Sequence, residues 1–196
     1  MSQRYRLAKG GRIDRRKPLK FTFDGRQYEG YQGDTVASAL LANGISLVAR
    51  SWKYHRPRGI IGTGAEEPNA VLQLESGAHT VPNARATQTP LYQGLRCASV
   101  NRWPSLNIDA YRVFGLFGRL FPAGFYYKTF MWPQNLWHTC ERYIRKAAGL
   151  GESPREPDPD RYEKMNAHCD VLIAGGGPTG LAAALAAGRS GARVIL

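Results

Sequence analysis

Residues 170–196 read DVLIAGGGPTGLAAALAAGRSGARVIL, and no other stretch of the chain leaves so few ways to fold. An apolar run of Val171, Leu172, Ile173 and Ala174 meets a turn made of Gly175, Gly176, Gly177, Pro178, Thr179 and Gly180. An Ala/Leu-rich segment follows up to Arg189, then Ser190 and Gly191, then a second apolar run of Val194, Ile195 and Leu196. This pattern predicts strand, tight turn, helix, turn and strand. Pro178 suits a first helical turn, where its missing N–H is no loss. Ala182, Ala183, Ala184, Ala186 and Ala187 favour helix and keep its packed face small.

The spacing Gly175-x-Gly177-x-x-Gly180, set between a strand and a helix, has the form of a phosphate-binding turn. Glycine at 175 allows the sharp exit from the strand. Glycine at 177 lets a pyrophosphate approach the backbone, and glycine at 180 lets helix and strand pack closely. Free N–H groups and the positive end of the helix dipole then face the phosphates. Gly175, Gly176, Gly177, Pro178, Thr179 and Gly180 are therefore the candidate cofactor contacts, the alternative being a purely structural turn. The acidic residue that grips the ribose belongs about 20 residues past the glycines, after Leu196. NAD, NADP and FAD stay open on that test. The expectation is a truncated Rossmann βαβ start at 169–196, an α/β element closing an otherwise α+β chain.

The preceding residues divide by composition. Of the 27 Lys and Arg set against 15 Asp and Glu, many fall in a basic arm, 1–18, and next to it: Arg4, Arg6, Lys9, Arg12, Arg15, Arg16, Lys17 and Lys20 oppose Asp14 alone. Such an arm suits an acidic partner subunit or a solvated tail. Nucleic-acid binding is a third reading, which no nucleic-acid motif supports, and the arm lacks the apolar core of a secretory signal. From residue 19 to 100 the pattern is β-grasp. Alternating runs at 19–23 and 27–31 flank Asp24-Gly25, a hairpin turn signal. Asp34 is placed to cap a helix over 35–42, which Asn43-Gly44 ends. Further strands are expected at 71–74 and 84–88.

Residues 101–150 form an aromatic-rich helical connector, with helices expected over 106–120 and 137–148 around an aromatic loop at 121–128. Its Trp103, Trp132 and Trp137 belong to a core or to an interface. A Pro-rich acidic linker, 151–168, leads into the glycine turn. Cys97, Cys140 and Cys169 are far apart and form no CxxC, which argues against a disulfide framework or a zinc site and fits a reducing cytoplasm. No apolar run is long enough to span a bilayer.

The decade RSWKYHRPRG sets Arg50, Lys53, His55, Arg56 and Arg58 among aromatics. Its cations could meet a cofactor phosphate, an acidic surface, or Glu66 and Glu67 nearby. His55 has no Ser or Cys partner of suitable spacing, so no catalytic residue is assigned. His79, His138 and His168 have no ligand-like company, so no metal site is assigned either.

Taken together, GDTVASALLANG, RSWKYHRPRG, PAGFYYKTFMWP and DVLIAGGGPTGLAAALAA resemble the alpha subunits of heterotetrameric sarcosine oxidases, over nearly the whole chain from about Leu19. The resemblance implies an N-terminal fragment of a flavoenzyme subunit without the catalytic centre. The intact enzyme demethylates sarcosine oxidatively, releases hydrogen peroxide and passes the one-carbon unit to tetrahydrofolate. It implies beta, gamma and delta partners, FAD and FMN in the complex, and NAD in this subunit's glycine turn, with FAD as the alternative. It also implies a 2Fe–2S ferredoxin-like fold for 19–100. A cluster needs four ligands of thiolate type, and no cysteine lies between Met1 and Arg96. The expectation is therefore a domain with no iron–sulfur cluster. The rivals are the alpha-type subunit of a related FAD-dependent amino-acid or opine dehydrogenase or hydrogen cyanide synthase, and a non-catalytic assembly module.

Overall fold

A computed structural model describes residues 3–51, 54–120, 136–148 and 151–196. The chain divides into two compact units, Met1–Asp158 and Pro159–Leu196.

The first unit is built on a hairpin. Strand β1, Asp14–Phe23, and strand β2, Arg26–Gln32, pair antiparallel with Phe21 opposite Tyr28 and Phe23 opposite Arg26. Asp24 and Gly25 both take positive φ, 47° and 77°, as a two-residue hairpin turn requires. The strand starts at Asp14, inside the expected basic arm, and its register shifts between Asp14 and Pro18. Asp24 also reaches beyond the turn. Its carboxylate accepts from the Ser99 N–H at 2.8 Å, the Ser99 hydroxyl at 2.7 Å and Arg102 at 2.9 Å.

Helix α1, Val36–Ala42, follows. Its N-cap is Thr35, not Asp34 as the sequence suggests. Thr35 Oγ1 accepts from Ser38 N–H at 3.2 Å, and Ser38 Oγ accepts from Thr35 N–H at 3.0 Å, a reciprocal capping box. Asp34 is drawn away by Arg6, which donates to it twice at 3.1 and 2.7 Å, and it also takes the Tyr31 N–H at 2.8 Å. Thr35→Ala is expected to cost about 1 kcal/mol, seen as a lower urea midpoint with unchanged slope.

Two short pairs come next. Strands β3, Ala49–Arg50, and β4, Pro57–Arg58, face each other antiparallel. Strand β5, Val71–Leu74, pairs with β6, Val81–Arg85, across a 3₁₀ turn, Gly77–His79. The second of these lies three residues earlier than the expected 84–88. Strand β7, Arg96–Ser99, has no counterpart among the sequence expectations. It runs parallel to β1 and antiparallel to β5, which completes a five-stranded sheet of order β2-β1-β7-β5-β6. One face closes on α1. Phe21, Phe23, Val36, Ala39, Leu40, Leu72, Leu74, Leu91, Leu95 and Cys97 form one buried cluster there. Burying side chains of this size is worth about 1.5–3 kcal/mol each, so this face holds the unit together.

Beyond the sheet, Ala110–Leu120 is 3₁₀ rather than α-helical. Gly115 and Gly118 weaken α preference there, and Asp109 Oδ1 accepts from the N–H groups of Trp103 and Tyr111, at 3.0 and 3.3 Å. Helix α2, Trp137–Ala148, matches its expected span; the aromatic loop at 121–128 and Trp132 lie outside the described residues. The start of the expected linker is docked on the sheet. Gly151 N–H donates to Asn83 Oδ1 at 2.9 Å, Glu152 N–H to Gln73 Oε1 at 3.0 Å, and Glu156 Oε2 accepts from Ala78 N–H at 3.1 Å.

In the second unit, strands β8, Val171–Leu172, and β9, Val194–Ile195, are parallel neighbours, and helix α3, Pro178–Arg189, connects them. Asp170 Oδ2 accepts from Arg193 N–H at 2.8 Å and ties the two strands at one end. Among the described residues no helix is long and apolar enough to cross a membrane.

Candidate functional site

The glycine turn is exposed and joins β8 to α3. Gly175 has φ +121°, a conformation that residues with a Cβ rarely adopt. A Cβ on Gly180 would lie 1.9 Å from the Gly175 carbonyl oxygen and 3.4 Å from Ile173 Cγ2. The turn and the first helical coil are therefore pressed against each other, and these two glycines are demanded by the protein's own backbone. Gly177 differs. It is the N-cap of α3 at φ −72° and ψ 176°, no side chain bonds to that cap, and a Cβ built on it meets nothing within 4 Å. Gly176 likewise faces open space. Pro178 occupies the first turn, as expected. The first N–H groups of a helix have no intrahelical partner, so Thr179 and Gly180 present donors beside an open face.

The second candidate region, 50–67, is assembled differently from the sequence reading. Arg50 is buried, and its guanidinium donates to main-chain carbonyls: to Leu106 from both Nε and Nη2, and to His55 at 3.2 Å. It meets neither Glu66 nor Glu67. Glu67 is 1% exposed, and its carboxylate accepts four main-chain N–H groups: Ile61 at 2.8 Å, Gly62, Asn69 at 2.8 Å and Ala70 at 3.1 Å. Burial pushes its pKa up, but the N–H groups of Gly62, Asn69, Ile61 and Ala70 more than offset this and hold it below the ordinary value. Glu66 accepts from Thr63 and Gly64 N–H, at 2.6 and 2.9 Å, in the same way.

His55 is buried at φ +49° with Nδ1 2.8 Å from Asp109 Oδ2, and the Tyr111 ring lies 5.4 Å away. That pair ties 50–58 to 103–111. Arg56 is exposed over the Tyr54 ring at 4.8 Å, Arg58 is exposed on β4, and Lys53 lies outside the described residues. His79, His138 and His168 are exposed. Asp109 is the residue that sequence reasoning passed over, and Glu67, expected as an ion-pair partner of the nearby cations, serves main-chain N–H groups instead. The EEPN sequence, with Pro68 ending the acidic pair, was the available signal for Glu67; nothing local signals Asp109.

These features can be set beside known proteins. Residues 193 in number are 61% identical to sarcosine oxidase subunit alpha of Rhizobium meliloti (strain 1021), over 98% of this chain and 20% of that protein. The chain is homologous to sarcosine oxidase subunit alpha. Two further sarcosine oxidase alpha subunits, from Corynebacterium sp. strains P-1 and U-96, are 36% and 34% identical over 94% and 95% of the chain, each covered to 15%. The chain thus spans a fifth or less of the length of these alpha subunits, and the resemblance drawn from its motifs is borne out. A crystal structure of L-proline dehydrogenase from P. horikoshii superposes on 43% of this chain and 16% of its own, at 25% identity and a TM-score of 0.34, too slightly to define the fold.

Residues 16–102 match the family described as 2Fe-2S iron-sulfur cluster binding domain. This corrects one expectation. The sequence reading excluded an iron–sulfur cluster on the count of cysteines, and the match places the region among cluster-binding domains. Cysteine count is a property of a few positions, whereas the match runs over the whole region 16–102. The thiols present do not themselves make up a cluster's donor set. Within 16–102 the one cysteine is Cys97, whose Sγ donates to the Thr22 carbonyl at 3.2 Å. Burial, then the carboxylates of Asp24 and Glu75, push its thiol up to about 12. Among the described residues no three His, Cys, Asp or Glu side chains gather as a metal-binding group.

Proposed function

We propose that this chain forms part of the alpha subunit of a sarcosine oxidase, and that its glycine turn holds the pyrophosphate of a dinucleotide. The observation that carries the reading is the division of labour within the turn. Gly175 and Gly180 serve the backbone, while Gly177 leaves an uncapped helix start facing open space. A purely structural turn has no need of a glycine at 177, where a Cβ would be accommodated freely. NAD is the occupant that the resemblance to sarcosine oxidase alpha subunits implies, with FAD the alternative.

In that role the turn's N–H groups and the dipole of α3 would neutralise phosphate charge, and Gly177 would let backbone and phosphate come together. A bound NAD supplies a nicotinamide able to accept or donate hydride; here it would serve as a resident group. The wider reaction is oxidative demethylation of sarcosine to glycine, with hydrogen peroxide formed and the one-carbon unit passed to tetrahydrofolate. Beta, gamma and delta subunits would complete the assembly, in a cytoplasm reducing enough for three free cysteines.

The test is direct. The complex purified with this subunit in its natural chain is expected to release peroxide with sarcosine and to yield NAD on acid extraction, stoichiometric with the subunit. Peroxide formation with another secondary amino acid but not with sarcosine would refute the substrate. Recovery of FAD alone, at one equivalent per complex and with no NAD, would refute the occupant.

A further inference from the structure

The basic N-terminal segment is fixed to the edge of the sheet. Gln3 Nε2 donates to the Glu29 carbonyl of β2 at 2.9 Å, and Tyr5 N–H donates to Ala42 O at 3.2 Å. Arg6 grips Asp34 through both terminal nitrogens, with only 13% and 1% of the two side chains exposed, and lies over the Tyr31 ring at 5.1 Å. The far end of the segment is fixed as well. The Arg15 guanidinium donates to the Leu7 and Gly10 carbonyls at 3.2 and 2.9 Å, and the Arg12 carbonyl abuts Gly33, where a Cβ would lie 2.9 Å from it. Residues 7–13 are thus a loop anchored at both ends.

Residues 4–17 leave several cations facing outward, Arg4 among them, over the Tyr5 ring at 5.6 Å. Arg6 is spent on Asp34, Arg15 on carbonyls, and Arg16 on Asp14 at 3.1 Å. Arg4, Lys9, Arg12 and Lys17 are exposed, and among the described residues none of them forms an ion pair. Tyr5 and Leu7, 65% and 79% exposed, stand between them. Fixing a residue's backbone costs conformational entropy, and a loop already held needs no further ordering to bind. A tail that merely keeps the protein in solution would gain nothing from two anchors.

We propose that this anchored loop and the residues flanking it dock on an acidic face of a partner subunit, with Tyr5 and Leu7 as apolar contacts and Arg4, Lys9, Arg12 and Lys17 as the cations that meet its carboxylates. Arg and Tyr are enriched at interfaces between proteins. A nucleic-acid surface is the poorer fit, because the loop offers neither a helix nor a ribbon to enter a groove and its cations flank two exposed apolar side chains. The proposal rests on the multi-subunit reading given above, and not on which dinucleotide the turn holds.

The experiment compares the full-length subunit, co-expressed with its partner subunits, in wild-type form, as K9E/R12E/K17E, and as the milder K9Q/R12Q. Subunit dissociation is followed by native mass spectrometry and sedimentation at two salt concentrations. The reversed variant is expected to raise the dissociation constant roughly tenfold or more in low salt, with most of the difference removed near 0.5 M NaCl, since rim charges act through screened attraction. The neutral variant should fall between. Its NAD content should stay at the wild-type level, which separates failure of this proposal from failure of the cofactor reading. Unchanged dissociation in both variants would overturn the proposal. So would weaker assembly that salt does not alter, a lowered melting temperature of the isolated subunit that accounts for the loss, or a duplex-DNA affinity that falls while assembly is untouched.

Discussion

Gly177→Val is expected to remove the dinucleotide from a turn that still folds, whereas Gly180→Ala is expected to remove it by breaking the turn. The two glycines stand three positions apart and do opposite things. At 177 the backbone is at φ −72°, open to any residue, and the added side chain points where nothing of the protein lies within 4 Å. Valine there costs the fold little, yet it fills the space a pyrophosphate needs next to the helix N–H groups. At 180 even one methyl would sit 1.9 Å from the Gly175 oxygen, well inside van der Waals contact, and main-chain atoms have to move. Extracted NAD should fall at least about tenfold in both variants, a loss of roughly 1.4 kcal/mol or more in binding. Only Gly180→Ala should also lower protection of the β8–α3 amides against hydrogen exchange. Wild-type NAD content in Gly177→Val would refute the role given to that position.

How much could be read from the sequence follows from how local each cause is. The first hairpin was legible because Asp24 and Gly25 carry their own turn chemistry. The glycine turn was legible because the demands at 175 and 180 arise within six residues. Strand Arg96–Ser99 escaped notice because its partners are distant in sequence: Thr22 and Phe23 on one side, Leu72 to Leu74 on the other. A four-residue run with one cysteine says little by itself. The helix cap shifted from Asp34 to Thr35 for a similar reason. Both residues are good caps, and the choice was made by Arg6, 28 positions away.

The RSWKYHRPRG cations looked like a single basic patch. The fold separates them into a buried Arg50 holding carbonyls and exposed Arg56 and Arg58. Glu66 and Glu67, the natural ion-pair partners by proximity, serve main-chain N–H groups instead. The cofactor expectation failed by weighing a few cysteine positions against a domain signal spread over 87 residues, 16–102 counted inclusively.

Glu67 leads to the largest stability effect expected in the first unit. One buried carboxylate terminates four main-chain N–H groups of the 61–70 loop, two on each oxygen. Glu67→Ala would leave all four without an acceptor. An unsatisfied buried donor costs about 1–3 kcal/mol, and water entering the vacated space recovers part of this, so a loss of roughly 3–5 kcal/mol is expected. Glu67→Gln keeps the shape but turns an NH₂ group toward two of the N–H donors, so it should lose about half as much rather than rescue the site. The wild-type carboxylate titrates below its ordinary value of 4.5. Its folded pKa being the lower one, the contribution is present in full above about pH 4.5 and is lost as pH falls through the depressed value. Urea unfolding of the intact protein at a series of pH values checks both parts. Wild-type stability should fall in acid below pH 4.5, and the Glu67→Gln curve should lose that component of the slope. A Glu67→Ala midpoint equal to wild type at pH 7 would mean that the loop is held by something other than this carboxylate.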